Sequence, residues 1–209
     1  MIFNNENIAK LRFSVKNKLS DKRYVHTLGV EEMARRLGSA IIPEKLQELC
    51  AAALLHDITK EFSYEEQLKL LKASGTEYTQ EDLDTKPALH SISAVPYILQ
   101  EYSEYTTADI LSAVANHTLG KEDISVFDEI IFISDYAEAG RTYPSCIDVR
   151  NYLLKNIDVK KDYCENVICL HTSVLMAINF TIDSLKRRGE KIHSRTYLTK
   201  AYIERLLQK

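Results

Sequence analysis

The chain has 209 residues, 45% of them hydrophobic and 27% charged, with a net charge of −3. That is the balance of an ordinary globular chain of one good-sized domain, which excludes general disorder. It also gives no global sign of a nucleic-acid partner.

The longest apolar runs are a few residues, well short of the roughly 20 that span a bilayer. The opening MIFNNENIAK lacks the basic start and apolar stretch of a signal peptide. Cys50, Cys146, Cys164 and Cys169 form no CxxC pair and no dense framework, and Cys50 sits in the apolar segment LCAAALL as a small core residue. The expectation is a reduced, cytoplasmic protein away from membranes.

Helical periodicity runs along almost the whole chain. Val25, Leu28, Met33 and Leu37 mark one amphipathic helix; Leu46, Leu49, Cys50, Ala53 and Leu54 mark the next, with Pro43 in its first turn. Ser63 and Glu66 form a capping-box pattern, and Gly75 supplies the stop. Pro87 opens another helix, which Pro96 is expected to bend or break before Tyr97 and Ile98. Ile110, Val114 and His117 share a face that ends before Gly120. Ser125 and Asp128 cap a segment carrying Phe127, Ile131 and Asp135, which stops at Gly140; Ser145 and Asp148 repeat the pattern. A long helix follows from about 160 to 188, closed by Gly189, and a last one from Thr196 to Leu207. Alternating strand patterns and internal repeats are missing. The expected architecture is all-α: one domain over 1–209, with a motif core at about 20–141 and C-terminal helices at about 145–209 packed on it.

Polar residues interrupt these stripes at chosen points. His26 continues at spacings of four, three and four into Val30, Met33 and Leu37; His56 and Asp57 extend the stripe of Leu49, Ala52, Ala53 and Leu54; His117 follows Val114, and Asp135 follows Ile131. His90, in KPALHSISAV, has only Leu89, Ile92 and Val95 to orient it. An unpaired imidazole or carboxylate on a core face is expensive, and a lone one is ordinarily a hydrogen-bonded core residue. Four histidines and two aspartates together suit a cation such as Fe, Mn, Zn or Co, and no cysteine joins them to make a structural zinc site. Six ligands exceed what one open site takes, so the pattern points to two metals bridged by Asp57, with a hydroxide between them as nucleophile. Arg23, Lys60 and Arg141 lie close by in sequence and suit a polyphosphate, unless Arg23 and Lys60 are simply solvated surface residues.

The array RYVH, LLHDITK, KPALH, ANHTLG and ISDYAEAGR resembles the HD-domain superfamily of metal-dependent phosphohydrolases, whose signature is the adjacent His56–Asp57 pair. It is similar above all to the YqeK family, bacterial HD proteins that hydrolyse diadenosine tetraphosphate symmetrically to two ADP. The likeness covers roughly residues 8 to 200. It implies a helical HD bundle in which His26, His56, Asp57 and Asp135 bind the principal iron, and His90 and His117 complete a second metal site and face the phosphates. Arg23, Lys60, Thr118 and Arg141 would contact the nucleotide. Asp57, Lys60, His90 and His117 would surround the reacting phosphate, and Mn or Co could replace iron. The family's closing Ile-His-Pro-x-Thr segment is matched by Ile192, His193 and Thr196, with Ser194 in place of proline, which extends the substrate contacts to His193 and Thr196. His171 matches nothing in the family and reads as structural or surface.

The implied partner is a small dinucleoside polyphosphate, with neither nucleic acid nor membrane. A nucleotidase or pyrophosphohydrolase acting on another nucleotide, and a non-catalytic nucleotide-binding module, are the competing readings. A cyclic-dinucleotide phosphodiesterase lacks support because its additional GYP-type motif is missing.

Overall fold

The computed structural model describes residues 3–208; the outermost residues of the expected domain, 1, 2 and 209, lie outside them. Among the described residues the chain is all helical, in the order α1 (Asn5–Lys16), α2 (Asp21–Ile41), α3 (Leu46–Leu55), α4 (Tyr64–Ser74), α5 (Gln80–Asp84), α6 (Leu89–Glu101), α7 (Ala108–Asn116), α8 (Val126–Ala137), α9 (Pro144–Asn156), α10 (Tyr163–Arg187) and α11 (Ser194–Leu207). Short 3-10 turns cover Pro43–Lys45, Lys86–Ala88 and Ser103–Tyr105.

The middle of the bundle is α3. After Gln47 and Glu48 in its first turn, its sequence LCAAALL is apolar on every side, and Leu49 through Leu55 are all buried. A helix with no polar face has to be surrounded; α1, α2, α7 and α8 pack around it. The small residues Cys50 to Ala53 let those neighbours come close, while Leu49, Leu54 and Leu55 each contribute about 1.5–3 kcal/mol of apolar burial. On the far side of α2 and α8 lies α10, which also packs against α9 and α11. By length and a hydropathy of 1.4 over its most apolar window, α10 would reach across a bilayer; here Leu170, Val174, Ala177 and Ile178 are buried in the core.

Local chemistry fixes several helix ends. Ser63, Ser125 and Asp162 close capping boxes with Glu66, Asp128 and Glu165 at the starts of α4, α8 and α10. Gly75 and Gly189 follow α4 and α10 at φ 67° and 68°, backbone that glycine adopts without a Cβ penalty.

Several expectations are corrected. Val25 is 68% exposed, because the buried stripe of α2 runs through Val30, Met33 and Leu37, and Val25 lies to one side of it. Pro96 neither breaks nor ends α6, although the missing N–H and the ring clash ordinarily cost about 3 kcal/mol; the helix carries buried Leu89, Ala94, Pro96 and Ile98 between α4 and α7. At the start of α9 the cap position falls on Tyr143 with Pro144 in the first turn, so Ser145 and Asp148 lie inside the helix instead of capping it. Helix α8 stops at Ala137, short of Gly140, and α11 begins two residues before Thr196. Two helices, α1 and α5, were not anticipated. His56 and Asp57 lie just past the end of α3, in the turn that follows it.

Candidate metal centre

Four histidines reach one point from four different segments. His26 projects from the interior of α2, His56 stands at the C-terminal end of α3, His90 is the second residue of α6, and His117 ends α7. The ring centroids of His26 and His56 are 5.5 Å apart; those of His56 and His117, and of His90 and His117, are each 5.0 Å apart.

Three of these rings are oriented by the same local device. Nδ1 of His56 lies 2.7 Å from the carbonyl of Ala53, Nδ1 of His117 is 2.7 Å from that of Val114, and Nδ1 of His90 is 3.0 Å from that of Pro87. In each case the acceptor is three residues back. A helix that ends at the histidine leaves late carbonyls without their usual N–H partners, and at His56 and His117 the imidazole takes one of them. Because a carbonyl only accepts, Nδ1 carries the proton and Nε2 keeps its lone pair.

Those lone pairs converge on two carboxylates. Oδ2 of Asp57 lies 3.5 Å from His56 Nε2 and 3.7 Å from His26 Nε2. Its other oxygen, Oδ1, is 3.0 Å from His90 Nε2 and 3.6 Å from His117 Nε2. Asp135 Oδ1, from α8, lies 3.0 Å from His26 Nε2 and 3.9 Å from His56 Nε2. Asp57 thus faces one histidine pair with each oxygen. His26, His56 and Asp57; His56, His117 and Asp135; and Asp57, His90 and His117 form sets whose ligand atoms lie within 4.8 Å of one another.

The donors fit a metal ion on two grounds. Nε2 of His26 and of His56 are buried with no hydrogen-bond partner, a cost that a cation at those atoms removes. Nε2 of His90 and Nε2 of His117 face each other at 3.0 Å, which sets two lone pairs together unless a cation stands by them. Ionisation agrees. Burial pushes His90 down to about 4, against the opposing pull of Asp57, so the ring is neutral near pH 7. Burial alone would raise Asp57, but His56, His117 and His90 outweigh it and hold the carboxyl well below its ordinary range. Asp135 is likewise held low: its burial is outweighed by His26, Arg141 and His56. A neutral imidazole such as that of His90 beside ionised carboxylates is what a divalent transition metal takes.

The three basic residues all lie against this cluster. Arg23 Nη1 donates to Asp57 Oδ2 at 2.6 Å, and Arg141 Nη2 to Asp135 Oδ1 at 2.5 Å, with its Nε on the Asp135 carbonyl. Lys60 Nζ lies 3.1 Å from His90 Nδ1 and 3.2 Å from the Pro87 carbonyl, and burial lowers its pKa. None of the three is a free surface side chain.

A cavity of about 1480 Å³ opens beside the cluster. His117, Thr118 and Asp135 form part of its wall, and so do His193 and Thr196 at the start of α11. Thr118 Oγ1 is 3.4 Å from His90 Nε2. His193 caps α11 by accepting from the Arg195 N–H at 3.1 Å, while its Nε2 lies 3.2 Å from Asp82 Oδ1 on α5. Phe132, Tyr136, Ile178 and Leu185 add apolar wall from α8 and α10, and Lys86, Arg188 and Lys191 add charge. Asp82 and Arg195 escaped the sequence reading, since the helix that carries Asp82 is only five residues long. His171 sits elsewhere, buried 2.8 Å from Glu129, and is structural.

A helical bundle that gathers four histidines and two aspartates beside an open cavity has the form of a metal-dependent hydrolase. The chain belongs to the HD domain family, whose model matches residues 23–140. It is 29% identical over 189 residues to the symmetrical bis(5'-nucleosyl)-tetraphosphatase of Bacillus subtilis, covering 88% of this chain and 91% of that protein. To the protein of the same name from Staphylococcus aureus it is 30% identical over 185 residues, covering 86% of this chain and 93% of the relative. Among solved structures it is similar to a predicted HD superfamily hydrolase involved in NAD metabolism from Clostridium acetobutylicum, with a TM-score of 0.79, 27% identity, and 95% and 97% of the two chains covered.

Proposed function

We propose that the chain hydrolyses diadenosine tetraphosphate symmetrically to two ADP. The observation that carries this reading is the division of Asp57 between two histidine pairs, each oxygen facing one pair, beside a cavity walled by both apolar and basic side chains. Relatives that bear the name of this activity align with nearly the whole chain.

In this reading His26, His56, Asp57 and Asp135 hold one iron, and Asp57, His90 and His117 hold a second, with Mn or Co as substitutes. Two bound divalent ions supply hydroxide near neutral pH and offset phosphoryl charge. The residues of the chain do the rest. The apolar wall of Phe132, Tyr136, Ile178 and Leu185 holds a nucleoside, while Thr118, His193 and Thr196 take polar groups of the nucleotide along the same cavity. Arg23 and Arg141 keep Asp57 and Asp135 oriented, and their remaining N–H groups serve phosphoryl oxygens.

The oxygen of water bonds to one of the two central phosphorus atoms, and that phosphorus loses its bond to the central bridging oxygen. Each half leaves as ADP. Lys60, held at the Pro87 carbonyl, faces the negative charge that grows on the departing half. The four free cysteines suit the cytoplasm, where such nucleotides occur.

The test is product analysis by ion exchange after metal-loaded protein meets diadenosine tetraphosphate, dATP, AMP and ppGpp in parallel. ADP as sole product from the dinucleotide, with the others untouched, is expected. ATP plus AMP would overturn attack at the central phosphorus, turnover of a mononucleotide alone would make the chain a nucleotidase, and no turnover with any metal would make it a binding module.

A further inference from the structure

His26 differs from the other three histidines. It lies in the interior of α2, and the partner of its Nδ1 is not a backbone carbonyl. Its Nδ1 instead meets a side chain from 112 residues further along: Glu138 Oε1, at 3.1 Å. Glu138 is the residue that ends α8, and only 3% of it is exposed. Its second oxygen accepts the N–H of Gly140. Both carboxylate oxygens are therefore committed to fixed donors.

The carboxylate reaches His26 over the surface of α2 at Gly29, three residues on and on the same face. A Cβ at Gly29 would lie well inside van der Waals contact distance of Glu138 Oε2 and 3.1 Å from its Cδ. Nothing in the backbone requires glycine there, since Gly29 is helical and its φ is not positive. In a helix interior glycine is less favourable than alanine. The residue is explained by the space it leaves.

We propose that Glu138 is the positioning residue of His26, fixing its proton on Nδ1 and aiming Nε2 at the metal site, and that Gly29 is the opening through which it acts. This rests on the reading of His26 as a metal ligand. A carboxylate behind a ligating imidazole sets its tautomer and orientation and raises its basicity, and losing such a partner costs 10–100-fold in metal affinity. The Glu138–His26 pair supplies from the side chain what Ala53, Pro87 and Val114 supply from the backbone for the other three rings.

The experiment is a double-mutant cycle on the full chain, stripped of metal and titrated with Mn2+ alone, with free ion read by electron paramagnetic resonance. Glu138→Ala and Gly29→Ala are each expected to weaken binding 10–100-fold. The double variant should be no weaker than Glu138→Ala, because the opening matters only while the carboxylate is present. Glu138→Gln, whose carbonyl can still accept from Nδ1, should retain more affinity than Glu138→Ala. Folding is followed in parallel by far-UV circular dichroism and thermal melting, and in the Glu138→Ala background Gly29→Ala should raise the melting temperature. Wild-type Mn2+ affinity in Gly29→Ala, or losses that add in the double variant, would overturn the proposal. His26→Ala separates the two levels: unchanged Mn2+ binding there removes His26 from the site, whereas loss there with full binding in Glu138→Ala overturns only the positioning role.

Discussion

Lys60 and His90 share one acceptor. Both Lys60 Nζ and His90 Nδ1 lie within 3.2 Å of the Pro87 carbonyl, and they lie 3.1 Å from each other. The ammonium is thus pinned at the edge of the cluster with a hydrogen still free to donate. Lys60→Met should lower kcat by about 10²–10³ with little change in KM, the pattern of a donor that acts on charge developing in the transition state. Steady-state kinetics on diadenosine tetraphosphate check it, and a rise in KM alone would assign Lys60 to ground-state binding.

The two-sided placement of Asp57 leads to a second expectation. In Asp57→Asn the amide nitrogen cannot ligate, so one of the two histidine pairs loses its carboxylate partner. Bound metal should fall to one ion per chain or fewer, and turnover by roughly 10³-fold or more, about 4 kcal/mol of barrier. Metal analysis of purified protein together with an activity assay decides this. Full activity at normal metal content would remove Asp57 from the site, and the same standard applies to His56→Ala.

A third prediction concerns stability. Glu129 has no exposure and His171 is its partner at 2.8 Å; burial raises the pKa of the carboxyl, and the histidine only partly opposes the rise. His171→Ala leaves that buried carboxyl without its hydrogen-bond partner and should cost about 1–3 kcal/mol near pH 7. The sign with pH follows from linkage. A carboxyl whose folded pKa lies above its unfolded one favours folding while protonated, and that contribution is lost as pH rises through the folded value. The gap between variant and wild type should therefore narrow from pH 7 to pH 5 in urea unfolding, and a gap that widens on acidification would contradict the assignment.

Thiol reactivity offers a fourth. Burial pushes Cys50 up to about 12 and leaves it with no exposure, and Cys146 is raised for the same reason, whereas Cys164 is exposed. Since the thiolate is the reacting form, a maleimide near pH 7.5 should label Cys164 quickly and Cys169 more slowly. Cys50 and Cys146 should react only after denaturation. Peptide mapping after timed quenching reads this directly, and labelling of Cys50 at the rate of Cys164 would mean that α3 is not enclosed.

How much the residues disclosed in advance follows from the range of the forces involved. Capping at Ser63 and Ser125, the stops at Gly75 and Gly189 and the apolar run of α3 are local, and each appears where its sequence put it. The gathering of His26, His56, His90, His117, Asp57 and Asp135 was legible because polar groups on core faces require a common partner. Other features are settled by contacts distant in sequence. Val25 looked apolar enough to face inward until the neighbours of α2 defined which side was inside. Helix α5 is too short to show a period, so the approach of Asp82 to His193 had no signal. Glu138 stood in the motif that carried the resemblance, but its reach to His26 depends on the crossing of α2 and α8, which no local spacing encodes.

The six donors are spread from residue 26 to residue 135 on α2, α6, α8 and the ends of α3 and α7. No stretch of nascent chain short of Asp135 carries the complete set. During synthesis the full donor set is therefore assembled only after α8 has docked, and a chain truncated before that point would hold its imidazoles without Asp135. Filling the whole site would then double as an inspection of the finished bundle, because the sets that include His26 or Asp135 exist only once α2 and α8 have joined the other segments.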